Sequence, residues 1–163
     1  MAETWIQASF AFTCSNAEMA LLEEAFLAAA NLADDFEPDP PSPEFFVIFP
    51  PDGDDAWSGL RRIFTDPDFP SLGAGIEGGN SIEHPDRSVV HVFGTTDFQP
   101  NAIASLTQRC CRASLEQAPI GFEYSWSCSK PRVGEFGGGW CVVHPDHLDS
   151  GTTGEALAAA LRI

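Results

Sequence analysis

Cys141, His144 and His147 stand at three-residue intervals near the end of the chain, and thiolate and imidazole are the donors that hold zinc. A structural zinc site needs about four such ligands converging at ~2.0–2.3 Å, and Cys128, expected on the neighbouring strand, offers a fourth. No CxxC pair accompanies them. Cys141 and His144 would also point to opposite faces if both lay in one regular strand. The residues therefore favour a core thiol beside turn histidines, with metal binding by Cys141, His144 and His147 as the alternative and no cofactor expected. Five cysteines (14, 110, 111, 128 and 141) and four histidines (84, 91, 144 and 147) also allow thiolate–imidazole pairs. None lies in a local signature of a thiol enzyme, so no catalytic residue is assigned. Cys110 belongs to a buried helical stripe, whereas Cys111 falls off it and is expected to be reachable.

A second constellation surrounds a glycine-rich stretch. Lys130, Arg132, Gly134, Gly137, Gly138 and Gly139 put two cations beside flexible backbone, a composition that can cradle an anion. With Tyr124, Trp126, Phe136 and Trp140 they outline an alternative pocket for a small molecule. Phosphate loops lead into a helix N-terminus, and this one leads into a strand, so glycines that shape a hairpin explain the residues as well.

The third constellation is acidic. The chain of 163 residues carries a net charge of −16, and its first sixty residues hold twelve Asp and Glu with no Lys or Arg. Eight of these acids, Asp34, Asp35, Glu37, Asp39, Glu44, Asp52, Asp54 and Asp55, fall in a stretch broken by six prolines. Asp52-Gly53-Asp54-Asp55 lacks the alternating twelve-residue pattern of a calcium loop. Such a field repels phosphate backbones and attracts cations, so direct nucleic-acid binding is not expected and a basic protein partner is.

The elements that must position these groups follow from periodicity. Residues 4–13 alternate as a half-buried strand. Ser15 and Glu18 form a capping box that opens an amphipathic helix to about residue 33. Residues 34–70 are an acidic, proline-rich excursion pinned to the body by Phe45, Phe46, Val47, Ile48 and Phe49, with a short turn near 44–49 and a short helix over 57–64. Strands are expected over 73–83 and 88–95 around a reversal at His84-Pro85-Asp86-Arg87. Asp97 is placed to cap the next helix, whose stripe is Ile103, Leu106, Cys110 and Ala113. Ile120, Phe122, Tyr124, Trp126 and Cys128 mark the clearest strand, a last strand spans about 139–144, and a second capping box at Thr152–Glu155 opens a C-terminal helix. This is one α+β domain over residues 1–163. It reads as a ferredoxin-like split β-α-β sandwich with an antiparallel sheet, one extra strand, a C-terminal helix and the acidic insertion.

Gly121-Phe122-Glu123-Tyr124-Ser125-Trp126 followed by Phe136-Gly137-Gly138-Gly139-Trp140 resembles the ferredoxin-like domain of the YubB-like proteins of plasmids and phages, over residues 97–145. The resemblance implies a mobile-element accessory protein and no particular activity. The residues themselves, with no secretory peptide pattern, no membrane-spanning run and an odd cysteine count, lead to the expectation of a cytoplasmic protein. Its expected function is non-enzymatic: an acidic binding protein that inhibits or modulates a basic, nucleic-acid-handling host protein. A self-associating module, in which exposed sheet edges pair two chains into a homodimer, is the remaining alternative.

Overall fold

The computed structural model describes residues 1–162. Strand β1 (Thr4–Ser15) runs straight into helix α1 (Asn16–Ala33). The two are divided by the capping box: Ser15 N–H donates to Glu18 Oε1 at 2.9 Å, and Glu18 N–H donates to Ser15 Oγ at 3.1 Å. Along β1, Ile6, Ala8, Phe10, Phe12 and Cys14 turn toward the core, while Gln7, Ser9 and Thr13 are exposed. Helix α1 buries Met19, Leu22, Ala25, Phe26 and Ala29, the apolar stripe that its spacing predicts.

The excursion is structured. It holds two short helices, α2 (Pro43–Ile48) and α3 (Ser58–Arg61). Ser42 caps α2 by accepting from Phe45 N–H at 3.2 Å, and Pro43 in the first turn loses no intrahelical bond. Glu24 of α1 grips the cap, accepting from Ser42 N–H at 2.8 Å and Ser42 Oγ–H at 2.7 Å. Phe45 and Phe49 are fully buried; their rings lie 4.8 Å apart, with Trp57 edge-on to Phe45 at 5.2 Å. Arg109 closes the other end of α2, donating to Ile48 C=O at 3.2 Å and lying 5.8 Å above the Phe49 ring. Of the five residues expected to pin the excursion, Phe45 and Phe49 do so fully, half-buried Ile48 packs against the same core, Phe46 is half-buried, and Val47 faces solvent at 79% exposure.

The remaining elements are β2 (Gly75–Gly79), β3 (Arg87–Gly94), α4 (Pro100–Cys110), α5 (Arg112–Gln117), β4 (Ile120–Cys128), β5 (Gly137–Val143), β6 (Leu148–Thr152) and α6 (Thr153–Leu161). All six strands form one antiparallel sheet in the order β2-β3-β1-β4-β5-β6. This is an α+β architecture. On its core side Phe10 stacks on Phe122 at 4.6 Å, and Phe98 meets both rings edge-on. No described helix is long and apolar enough to cross a membrane.

Several elements depart from the sequence reading. The strand expected over 73–83 ends at Gly79, where Gly78 and Gly79 take φ of 127° and 144° and leave the extended region. Asp97 does not cap α4; Gln99 occupies that position without a capping bond, and Asp97 instead accepts from the Gln99 amide at 3.0 Å. The helix expected through Ala113 breaks at Cys111, which turns inward and is fully buried, so it is not reachable. Two strands, not one, extend the sheet beyond β4, because residues 148–152 pair with β5 from Val143↔Leu148 to Gly139↔Thr152. The C-terminal capping box is half formed: Thr152 Oγ1 accepts from Glu155 N–H at 3.1 Å, with no reciprocal bond among the described residues.

Candidate functional site

The acids of the excursion all lie at the surface. Asp55 pairs with Arg61 and Asp52 with Arg62, each at 3.0 Å. Of the eight acids that the sequence puts forward, the other six have no cation within ion-pair distance among the described residues. Two of them, Asp34 and Asp35, sit at the C-terminal end of α1, and Glu37 follows. Asp34 is its C-cap, and Asp35 follows with φ of 59°. Phe36 N–H donates to Asn31 C=O at 2.8 Å and Asp35 N–H to Leu32 C=O at 3.2 Å. This is a Schellman closure, which places its left-handed residue at the position that glycine usually takes. Asp tolerates that backbone better than most residues but still strains in it. Asp34 and Asp35 also put negative charge at the negative end of the helix dipole, where a charge costs ~0.3–1 kcal/mol, and no basic residue lies in the last turn to offset it. Phe36, between Asp35 and Glu37, is 67% exposed.

Next to this corner runs a groove of about 580 Å³ between α1, residues 38–40 and edge strand β2. Its apolar lining includes Leu27, Trp57 and Ile76, and its carboxylates are Glu23, Glu24 and Asp39. Glu23 and Glu24 are residues that the sequence reading left out of the acidic surface. Both precede the proline-rich segment, and their proximity to Asp39 depends on how the excursion folds back over α1.

The residues proposed as a small-molecule pocket do not converge. Tyr124 and Trp126 lie on one face of the sheet, whereas Trp140 pairs with Glu123 and so projects from the other. Antiparallel register sets Trp126 opposite Gly137 and Tyr124 opposite Gly139, and each ring fills the space above its glycine. A Cβ at Gly137 would come within 2.6 Å of the Trp126 ring. Across the next strand pair, Trp140 covers Gly151 in the same way. The glycines are therefore seats for aromatic rings. Lys130, Arg132 and Phe136 are exposed in the loop that joins β4 to β5, and Gly138 N–H donates to Thr153 Oγ1 at 3.1 Å.

Of the metal candidates, Cys141 is buried in the core, and burial pushes its thiol up. His144 and His147 do meet, and Asp149 joins them. The β5–β6 turn closes with His144 N–H donating to His147 C=O at 3.0 Å. Asp149, the second residue of β6, lies two positions after His147 in the turn, so the two side chains leave the chain on the same side. His144 Nε2 is 3.2 Å and His147 Nε2 3.7 Å from Asp149 Oδ2. The two rings stack at 4.2 Å. His147 Nδ1 lies 2.7 Å from Asp146 Oδ1, and that bond raises the imidazole above its ordinary value and lowers the carboxyl.

Two further polar sets were not anticipated. Glu18 is 6% exposed and reaches from α1 to α5, accepting from Ser114 Oγ–H at 2.5 Å and Ser114 N–H at 3.2 Å. Burial opposes its ionisation, and the hydrogen bonds from Ser114 and Ser15 outweigh it, so its carboxyl is held below the usual range. Beside it lie Cys14, Cys110 and Cys111, all buried free thiols. Burial and nearby negative charge push Cys110 up. Cys111 is pushed up by its hydrogen bond to Cys14 and by burial. On the opposite, exposed face, Ser9 Oγ contacts His91 Nε2 at 2.9 Å, and His91 Nδ1 contacts Glu77 Oε1 at 2.9 Å. The order is that of a nucleophile, base and orienting acid, but Glu77 and His91 are 65% and 38% exposed on adjacent regular strands. Reacting groups gain most where water is excluded, so this chain is a cross-strand ladder that ties β2, β3 and β1 together.

No family model, curated protein or solved structure matches this chain.

Proposed function

We propose that the protein is a non-enzymatic binding protein that engages a basic, nucleic-acid-handling partner through the surface formed by the end of α1 and the excursion. The observation that carries this reading is the placement of Asp34 and Asp35 at the negative end of α1, with exposed Glu37 following in the chain. Each charge there works against the helix dipole, and Asp35 adds backbone strain. Lysine, asparagine or glycine in these positions would make a better helix end. A corner that gives up stability to hold negative charge is suited to presenting it. Exposed Phe36 supplies an apolar anchor within the carboxylates, and the neighbouring groove extends an apolar floor with an acidic lining toward β2. Anchors of this kind carry most of the energy in protein interfaces. The packed helices α2 and α3 hold the surface in place, so little ordering cost is added on binding.

Within the same proposal, strands β2-β3-β1-β4 form a ferredoxin-like split β-α-β core. Its support is the position of β1 and β3 at the centre of that group, with α1 and α4 between the strands they connect. Five buried free thiols support a reducing compartment such as a cytoplasm. The resemblance to YubB-like proteins supports an accessory role on a mobile element, where inhibition of a host protein would be useful.

The test is capture of partners from a host lysate at low and at moderate salt, with the unmodified chain and with Asp34, Asp35, Glu37 and Asp39 all replaced by Ser. The expected result is a basic nucleic-acid-handling protein retained by the first and lost by the second. Undiminished capture by the substituted chain at physiological salt would overturn the reading.

A further inference from the structure

The β5–β6 turn gathers two imidazoles and a carboxylate that the acidic surface does not use. The donor atoms of His144, His147 and Asp149 all lie within 4.8 Å of one another. Two donors bound at ~2.0–2.1 Å to one tetrahedral ion stand ~3.3 Å apart. The separations from Asp149 Oδ2, 3.2 Å to His144 Nε2 and 3.7 Å to His147 Nε2, bracket that edge. We propose that His144 Nε2, His147 Nε2 and Asp149 Oδ2 bind a divalent transition-metal ion of the zinc class, with the remaining position open to water.

Three features beyond proximity support the assignment. The first is tautomer control. Asp146 Oδ1 lies 2.7 Å from His147 Nδ1, so the Nδ1 proton is held there and Nε2, on the side of Asp149, is left as the nitrogen that would ligate. A carboxylate behind a ligating histidine is the usual outer support of a metal site, which makes Asp146 a positioning residue. The second is a fixed backbone. The turn is closed between His144 and His147 at 3.0 Å, Pro145 restricts its first central residue, and Gln108 of α4 donates to His144 C=O at 2.9 Å. The third is access. The side chains of His147 and Asp149 are 53% and 55% exposed, so the ion can enter, and binding requires the His147 ring to tilt out of its stack on His144.

Donor type selects the ion. Two imidazoles and one carboxylate favour Zn²⁺, Co²⁺, Ni²⁺ and Cu²⁺ over Mg²⁺ and Ca²⁺, which prefer oxygen ligands throughout. Cys141, the thiol that sequence spacing puts forward, is on the core side and takes no part. Three protein ligands with an open position resemble reactive zinc sites more than closed structural ones, and that position is where a substrate oxygen or a donor from another molecule would bind.

The experiment is titration of the untagged full chain with Co²⁺, followed by visible absorption, with displacement by Zn²⁺ measured calorimetrically. One saturable equivalent is expected, displaced by Zn²⁺ and unaffected by excess Mg²⁺. Asp146→Asn should weaken binding ~10–100-fold at unchanged stoichiometry, and His147→Ala and Asp149→Asn should weaken it further. Cys141→Ser should leave it unchanged. The chain with Asp34, Asp35, Glu37 and Asp39 replaced by Ser should also bind as before, which separates this site from the acidic surface. In the unmodified protein, Co²⁺ should broaden the ring resonances of His144 and His147 before those of His84 and His91, a readout that needs no variant to fold. Absence of a saturable cobalt spectrum, or full binding by the His144→Ala/His147→Ala chain, would overturn the assignment.

Discussion

Residues 34–70 and the β4–β5–β6 region reach the core by different routes. The excursion has no periodicity and is rich in proline and carboxylates, yet it contributes Phe45, Phe49, Trp57, Leu60 and Phe64 to the core. The β4–β5–β6 region holds the clearest alternation in the chain, and it places Ile120, Phe122, Cys141 and Val143 in the core while Trp140, Phe136 and Leu148 remain substantially exposed and α6 beyond it buries no residue. Alternation reports only that one face of a strand differs from the other. Core membership is decided by what packs over the segment, and for the excursion that cover comes from α1 and α4 through Glu24 and Arg109.

The comparison is broken most directly at Phe45. Replacing a fully buried phenylalanine with alanine costs ~3–5 kcal/mol, a large part of the stability of a domain this size. Phe136→Ala, at a ring that is 54% exposed, should change stability by no more than ~0.5 kcal/mol. Urea unfolding of both chains, read from the midpoint at constant slope, checks the contrast. A loss below ~1 kcal/mol for Phe45→Ala would mean that the excursion opens separately from the sheet and does not share its core.

How much of this was legible in the residues varies with how local the determining interaction is. β1, α1 and their boundary follow from alternation and the Ser15–Glu18 capping box, both complete within a few residues. β4 was equally plain. Strand β6 was not, because Leu148-Asp149-Ser150-Gly151-Thr152 carries no apolar alternation and becomes a strand by pairing with β5. Without β6, nothing in the residues places Asp149 beside His147, and spacing alone points to Cys141 as the third donor. The same limit applies to Glu24 and Glu23, whose roles depend on a segment folding back over α1. The burial of Cys111 depends on where a helix breaks.

The acids of α1 sharpen the comparison at its two ends, since Glu18 stabilises the fold and Asp34 and Asp35 strain it. Glu18→Gln places an amide N–H₂ among donors from Ser15 and Ser114, and ~1–3 kcal/mol should be lost at neutral pH. The sign of the pH dependence follows from the carboxyl being held below its ordinary value. Its contribution is complete above the unfolded-state value of ~4.3 and declines as pH falls through the lower folded-state value. Thermal unfolding of the two chains between neutral and strongly acidic pH should therefore converge in acid. A constant gap across that range would assign the cost to packing and not to ionisation.

The smallest expected effect is a gain. Asp35→Gly removes the left-handed strain at φ of 59° and one charge from the negative end of α1. It should raise stability by ~1 kcal/mol even though glycine also frees the unfolded chain. Asp35→Asn separates the two causes: it keeps a residue tolerant of that backbone and removes only the charge, so a gain of ~0.3–1 kcal/mol is expected from it. Midpoints of denaturant unfolding at low and high salt distinguish them, because the dipole contribution is screened and the backbone contribution is not. If both substitutions stabilise the chain while weakening capture of the basic partner, stability and binding oppose each other at Asp35. If either one destabilises it, Asp35 makes a compensating contact in the folded state, and charge at this corner would need no functional explanation.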